Sequence, residues 1–205
     1  MYKISLLTLL VVSLASWVAA QDKRVEIFGG YSYMTIDDHK SNNAIDHVGS
    51  LNGFNVAVTG FITKRLGITG DFSAGFASGT TAVTGGSLRY KSRNYSFYVG
   101  PHYRFTNSTR VTPFVHALVG GSQNSFSDVF TPTSTTAATT NFSQSATDWA
   151  MALGGGLDVR VHKRVSIRLV QIDYNPVFTG ARPQFGTNNN IRFDNVRFSS
   201  GIVFR

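Results

Sequence analysis

Apolar and polar residues alternate along much of the chain with a period of two. The segment 191–205 reads IRFDNVRFSSGIVFR and shows the pattern clearly. From residue 196 onward its even positions are mostly apolar or aromatic, and its odd positions are mostly polar or small. Alternation of this kind predicts a β-strand with one face in an apolar medium.

Seven further segments alternate in the same way. Their apolar faces carry Val25, Ile27, Tyr31 and Tyr33; Phe54, Val56, Val58 and Ile62; Leu66, Ile68, Phe72 and Phe76; Tyr95, Phe97, Val99, Tyr103 and Phe105; Val111, Val115, Ala117 and Val119; Trp149, Met151, Leu153, Leu157 and Val159; and Val165, Ile167 and Leu169. In the last of these the phase changes, and Val170, Ile172 and Tyr174 become the apolar set. A β-bulge at Leu169–Val170 keeps the polar residues on one face.

The connections between these eight strands alternate in length. Long connections are expected at roughly 35–50, 79–92, 123–146 and 176–190, and short ones at 63–65, 106–110 and 161–164. An even number of strands joined in this way is typical of bacterial outer-membrane barrels, whose tight turns face the periplasm. Each segment also has about the nine to eleven residues that a tilted strand needs to cross a bilayer.

Aromatic residues on the apolar face collect near the strand ends. One group is Tyr33, Phe54, Phe76, Tyr95 and Trp149, and the other is Tyr103, Phe105 and Phe204. Two aromatic girdles are expected where a barrel crosses two membrane interfaces. A soluble barrel would instead need large apolar residues inside and a polar exterior, whereas here the polar face is rich in Gly, Ala, Ser and Thr.

The N-terminal segment has the pattern of a cleavable signal peptide. Lys3 precedes an uncharged apolar run that ends in Ala19-Ala20, which predicts cleavage after Ala20. A transmembrane anchor is the alternative, but the run is short for a hydrocarbon core of about 30 Å. We therefore expect residues 1–20 to be removed and residues 21–205 to form one barrel domain.

Composition narrows the class further. The chain has no Cys, which excludes disulfides and thiol chemistry, and charged residues make up only 15% of it. The net charge of +8 is compatible with nucleic acid binding. However, the cations lie in turns and at single strand positions, and the chain is expected to be exported. Phosphate-bearing lipid or polysaccharide is therefore the expected anionic partner.

The signal peptide, the eight strands, the short basic turns and the aromatic Phe204 resemble the outer-membrane β-barrel family related to outer membrane protein A. The resemblance covers 21–205 and rests on pattern, not on an invariant motif. It implies an all-β, eight-stranded antiparallel up-and-down barrel with both ends in the periplasm, without a peptidoglycan-binding domain. Arg205 departs from the family pattern, which usually ends on the aromatic residue, as do Ser200 and Ile202, where larger apolar residues are common.

Strand parity places eight charged residues inside the barrel: Glu26, Asp71, Asp158 and Asp173, with Arg104, Arg160, Arg168 and Arg197. An eight-stranded barrel is just wide enough for side chains to fill it, so buried charges there need partners. The turn at 161–164 sets Asp158 opposite Arg168, and the last connection brings Asp173 near Arg197. The set predicts a structural plug, with a gated ion path as the alternative.

No catalytic set is recognisable in the sequence. His102 and His116 are expected on the lumen face of neighbouring strands, but no triad can be assigned without geometry. Gly154-Gly155-Gly156 lies within a strand and is not a phosphate-binding loop. An enzyme that modifies lipid A remains a minor alternative, and no cofactor is expected.

The long connections are the expected places for recognition. The first contains Asp37, Asp38, His39, Asp46 and His47, whose spacing matches no metal-binding loop. The third contains the uncharged run TPTSTTAATT, expected to be mobile. The second carries Arg89, Lys91 and Arg93, which are placed to contact lipopolysaccharide phosphates or simply to keep the rim soluble.

The sequence thus predicts a non-enzymatic protein of the bacterial outer membrane with a structural or surface-interaction role. A channel or carrier for small solutes is the alternative. The expected partners are outer-membrane lipid, lipopolysaccharide and the barrel-assembly machinery during insertion, and the expected state is a monomer that binds no nucleic acid and no metal.

Overall fold

The computed structural model describes residues 25–36, 49–133, 138–180 and 191–205. These residues form eight strands, which are β1 (Val25–Thr35), β2 (Ser50–Phe61), β3 (Leu66–Val83), β4 (Gly86–Arg104), β5 (Val111–Pro132), β6 (Thr140–Arg160), β7 (Val165–Thr179) and β8 (Ile191–Phe204). Each strand pairs antiparallel with the next in the chain, and the sheet closes on itself. The predicted eight-stranded antiparallel barrel is confirmed.

Closure depends on the pairing of β1 with β8. Their ladder runs from Ile27 opposite Phe204 to Thr35 opposite Val196. A closed barrel satisfies the backbone hydrogen-bonding groups between strands, so no sheet edge is exposed to lipid. Among the described residues, no helix has the length and apolar character required to cross a membrane.

The two faces of the wall carry the predicted residues. Large apolar side chains point outward, and Trp149, Phe97 and Tyr31 are 75%, 59% and 56% exposed. Many polar side chains of the strands point inward and are buried, among them Asn55, Asp71 and Gln171. This arrangement reverses that of a water-soluble protein and suits an apolar surrounding medium.

The predicted β-bulge lies at Leu169–Val170. Asp158 pairs with Arg168 and Leu157 with Val170, so the ladder between β6 and β7 skips Leu169. On the other side of β7, Arg168 pairs with Gly201 and Gln171 with Ser199. The extra residue restores the phase, and the polar residues before and after it both face the lumen.

Two of the expected long connections are largely strand, which corrects the prediction. Residues 79–92 form a hairpin of β3 and β4 that turns at Gly85, whose φ of 84° favours glycine. Within 123–146, β5 continues to Pro132 and β6 begins at Thr140. Beyond the membrane both faces of a strand contact water, so the apolar alternation that marks a membrane strand disappears while its hydrogen bonds continue.

Several predictions concern residues outside the described ranges. The signal peptide at 1–20 is one of them. The ionisable residues of the first connection, Asp37, Asp38, His39, Asp46 and His47, are another, as is the 134–137 portion of the TPTSTTAATT run.

Candidate functional site

The lumen contains two linked clusters of ion pairs. The first is centred on Arg197 of β8, which is 1% exposed. Its guanidinium donates from Nη1 to Asp71 Oδ1 at 2.9 Å and from Nη2 to Asp173 Oδ2 at 2.7 Å. Asn55 donates to the second oxygen of Asp71 at 2.8 Å. Each charge in this buried cluster therefore has a hydrogen-bonded partner of opposite sign.

The second cluster lies nearer the short turns. Arg168 donates from Nε to Asp158 Oδ1 at 2.8 Å, and its guanidinium carbon lies 4.4 Å from the ring centroid of Phe28 and 4.0 Å from that of Phe114. The guanidinium thus contacts two aromatic rings as well as its carboxylate, which is a favourable arrangement for a buried arginine. Arg104 pairs with Glu26 in the same region.

Gln171 and His116 join the clusters. Gln171 accepts from Arg168 at 2.6 Å and donates to Asp173 at 2.7 Å. His116 of β5 contacts the other oxygen of Asp173 at 2.8 Å. Together with Glu26 on β1, Asn55 on β2, Asp71 on β3 and Arg104 on β4, these contacts give every strand at least one polar side chain in the lumen network.

Seven of the eight charged residues assigned to the lumen by parity lie in this network, and Arg160 does not. The Arg160 side chain is exposed and donates to the backbone oxygen of Thr109 at 3.0 Å. Arg160 lies at the end of β6 beside the turn before β5, so its long side chain reaches a backbone acceptor at the rim instead of entering the barrel. Its assignment to the lumen network is therefore wrong.

Arg205 provides the cation that the sequence analysis missed. Its guanidinium donates to Glu26 at 2.7 Å, to Ser166 at 2.9 Å and to Asp158 at 3.1 Å. The signal was present in the sequence, because residue 205 has the same parity as Arg197, Ser199 and Val203, all of which face inward. With Arg205 in place of Arg160, four arginines again oppose four carboxylates within the described lumen.

A buried apolar layer lies in the lumen beyond the ion pairs, on the side of the long connections. Tyr98, Leu118, Ala150, Ala152 and Val177 form a buried cluster, and Phe193 packs against it. Tyr98 also lies near the first ion-pair cluster, since the Arg197 guanidinium carbon is 6.0 Å from its ring centroid. The large members of this layer, Tyr98, Leu118 and Val177, were not expected, because strand parity predicted a polar or small interior.

A glycine makes room for the ion pairs. A Cβ built on Gly154 would lie 2.2 Å from Asp173 Oδ1 and 2.2 Å from the backbone oxygen of Ile172. No side chain fits at this separation unless both the Asp173 carboxylate and the backbone of β7 move. Gly154 therefore allows Asp173 to reach both Arg197 and His116.

The outer end of the wall carries the basic stripe Arg89, Lys91 and Arg93 on β4. All three side chains are exposed and point outward. Their cross-strand neighbours on β3 and β5 are uncharged: Thr80 and Val129 for Arg89, Ser78 and Ser127 for Lys91, and Phe76 and Ser125 for Arg93. The stripe therefore begins two residues beyond Tyr95, at the outer aromatic level, and no carboxylate flanks it across the strands.

Within the described part of the chain, no group of three or more His, Cys, Asp or Glu residues is placed to hold a metal ion. His102 and His116 are cross-strand partners with ring centroids 6.1 Å apart, and His102 stacks on Phe114. Neither contacts a serine or another nucleophile among the described hydrogen bonds. The site is thus a network of ion pairs and aromatic contacts.

Comparison with known proteins agrees with this architecture. The family model described as outer membrane protein beta-barrel domain matches residues 4–204. No curated protein gives a significant match. Among solved structures, OprG of Pseudomonas aeruginosa has 11% identity over 88% of this chain and 94% of its own, with a TM-score of 0.53.

Two other solved barrels are similarly distant. Ail, the attachment invasion locus protein of Yersinia pestis, solved with the heparin analogue sucrose octasulfate, has 18% identity over 88% of this chain and 97% of its own, with a TM-score of 0.50. The outer membrane protease OmpT of Escherichia coli has 8% identity over 91% and 99%, with a TM-score of 0.51. At these low sequence identities the similarity shows a common fold and nothing more specific.

Proposed function

The chain belongs to the outer membrane β-barrel domain family, and from that premise we propose that it is a non-enzymatic outer-membrane protein with a structural or surface-interaction role, whose lumen is closed by its own side chains. The observation that carries the proposal is the continuous ion-pair network of the lumen, covered by the apolar Tyr98–Leu118–Val177 layer. An ion crossing this interior would have to break buried pairs and then pass a region without polar partners.

Conductance in planar bilayers tests the closed lumen. We expect the purified barrel to give no stable single-channel steps. Stable steps that disappear in Arg197→Ala or Asp173→Ala, but persist in the exposed control Arg192→Ala, would contradict the closed lumen and support the alternative of a small-solute channel with these residues on its path.

The absence of enzymatic activity is tested separately. Because some small outer-membrane barrels modify lipid A, the lipid A of cells that express the chain is compared by mass spectrometry with that of cells that do not. We expect identical acylation patterns. A new acylation or deacylation product would overturn the non-enzymatic assignment.

For the surface role, we propose that Arg89, Lys91 and Arg93 bind the phosphates of lipopolysaccharide. Their exposure, their outward direction and the lack of flanking carboxylates support this assignment. Arginine and lysine donate charge-assisted hydrogen bonds to phosphate oxygens, and the stripe begins at the expected level of the outer membrane interface.

Binding of purified lipopolysaccharide to the barrel in nanodiscs tests this contact. The triple variant Arg89→Gln, Lys91→Gln and Arg93→Gln should bind roughly fivefold more weakly for each cation removed. The matched control removes three cations from the short turns, with Lys64→Gln, Arg110→Gln and Lys163→Gln. Equal losses in both triple variants would mean that net charge, and not this stripe, determines binding.

The proposal also covers the export of the chain, its insertion into the membrane and its oligomeric state. We propose that residues 1–20 direct export and are cleaved, that the barrel-assembly machinery inserts the chain, and that the barrel is monomeric. Mass spectrometry of the membrane form should give a mature N-terminus at Gln21. Depletion of the assembly machinery should reduce the membrane-inserted amount, and light scattering should give the mass of one chain.

A further inference from the structure

A small cavity lies between the two ion-pair clusters. Glu26 and Arg168 line it from the cluster near the short turns, and Asp71 lines it from the cluster around Arg197. The wall is completed by His102, His116, Gln171, Thr59 and Thr69 and by apolar side chains. Its volume of about 10 Å³ is close to the space that one water molecule needs.

One buried polar atom beside this cavity has no protein partner. Nδ1 of His102 is buried, and no described group forms a hydrogen bond with it. The whole His102 side chain is 3% exposed, so bulk solvent does not satisfy this nitrogen. A buried nitrogen without a partner is costly, and most such atoms in folded proteins are bonded to protein or to an ordered water.

A hydrogen-bond donor is available in the wall of the same cavity. The hydroxyls of Thr59 and Thr69 are 2.6 Å apart, and either oxygen can be the donor. Their mutual hydrogen bond uses one of two hydroxyl protons, so whichever threonine accepts in that bond retains a proton to donate elsewhere. Both threonines line the same cavity as His102.

We propose that this cavity is a binding site for a single water molecule that bridges His102 Nδ1 and the Thr59–Thr69 hydroxyl pair. The water accepts a hydrogen bond from the free threonine hydroxyl. It donates to Nδ1 when the imidazole proton is on Nε2, and it accepts from Nδ1 when the proton is on Nδ1. Glu26, Asp71 and Arg168 surround it with further polar groups. The ion-pair clusters on either side separate it from the two ends of the barrel.

The isolation of this water rests on the proposed closed lumen, whereas its binding site rests on the cavity and on His102. A crystal structure that resolves ordered water tests the site directly. We expect a density peak within hydrogen-bonding distance of His102 Nδ1 and of one threonine hydroxyl. In detergent micelles, the methyl groups of Thr59 and Thr69 should show NMR cross-peaks to a slowly exchanging water.

The substitution His102→Phe keeps an aromatic ring against Phe114 and removes the nitrogen. We expect it to abolish both the density peak and the cross-peaks, whereas His162→Phe, at the exposed turn between β6 and β7, should leave them unchanged. If His102→Phe does not fold, the cross-peaks of the unmodified barrel still decide the question.

Two outcomes overturn different parts of the argument. An empty cavity in which His102 Nδ1 bonds to a protein group overturns the water site and leaves the closed lumen standing. A continuous chain of water molecules from the cavity to both ends of the barrel overturns both the isolation of the site and the closed lumen. Conductance measurements would then show single-channel steps.

Discussion

Arg197 donates to Asp71 across the lumen, with Nη1 2.9 Å from Oδ1. The two residues belong to β8 and β3, which share no ladder, because β8 pairs with β1 and β7 only. This contact therefore joins opposite parts of the wall through the interior. Such a contact is possible because the interior of an eight-stranded barrel is just wide enough for side chains to fill it.

Removal of Arg197 should be strongly destabilising. In Arg197→Met, the carboxylates of Asp71 and Asp173 lose their shared guanidinium while remaining buried. We expect the free energy of unfolding to fall by about 3–5 kcal/mol, because breaking a buried pair leaves an uncompensated charge. Urea unfolding of the barrel in lipid vesicles, followed by tryptophan fluorescence, measures the change.

The control for Arg197 is Arg192→Met. Arg192 lies on β8 like Arg197 and pairs with Asp194 of that strand, but its side chain is 52% exposed. Solvent screens such a pair, so the unfolding midpoint should hardly move. Similar losses in both variants would show that burial does not determine the contribution of these arginines.

Substitution of Gly154 should act through Asp173. In Gly154→Ala, the added methyl group must displace both the Asp173 carboxylate and the backbone at Ile172, and overpacking of this kind costs about 1–3 kcal/mol. Gly70→Ala is the matched control, since a Cβ there meets no atom within 4 Å. Equilibrium unfolding of both variants should show a loss for Gly154→Ala alone, and an unchanged midpoint there would contradict the role assigned to this glycine.

Arg205 should contribute less than Arg197. In Arg205→Met, Glu26 retains Arg104 and Asp158 retains Arg168, so no carboxylate is left without a cation. We expect a loss of about 1.5–3 kcal/mol, the range for hydrogen bonds to charged groups. A double-mutant cycle with Glu26→Gln should give a coupling energy above about 0.5 kcal/mol, and additive effects would show that the two side chains do not interact.

A charge in the middle of the outer wall tests contact with lipid. Val99 points outward, four residues from both Tyr95 and Tyr103, which belong to the two aromatic levels. Val99→Arg should lower the free energy of unfolding in bilayers by about 2–4 kcal/mol, because it places a cation near the membrane midplane. Ser143→Arg, on the exposed extension of β6, should have little effect, and equal tolerance of both changes would contradict the membrane position of the wall.

Much of the fold was predictable because the membrane imposes a simple rule on each strand. Residues that face lipid must be apolar, so the phase change at Leu169–Val170 was sufficient to predict the bulge. The hairpin ending at Gly85 was not predictable in this way. Outside the membrane the outward face carries Thr80 and Arg89, and nothing in such a pattern distinguishes a strand from a loop.

The candidate site was likewise predictable only in part. The alternation of side chains along a strand depends only on the backbone, so it predicted that Asp158, Arg168, Asp173 and Arg197 face the interior. Because strands that follow each other in the chain are neighbours in the sheet, it also predicted the pairs Asp158–Arg168 and Asp173–Arg197. Parity alone does not say how far a long side chain reaches along the barrel. Arg160 therefore turned to the rim at Thr109, and Arg205 turned inward to Glu26.

Local alternation and connection length were sufficient to predict the number of strands, the face of most membrane-spanning positions and the apolar medium around the barrel. The folded barrel was needed to show which charges meet across the lumen, such as Arg197 with Asp71, and where the apolar layer of Tyr98 and Leu118 lies. Those contacts join residues far apart in sequence, and they depend on the register and curvature that close the sheet. No local sequence pattern predicts that register and curvature.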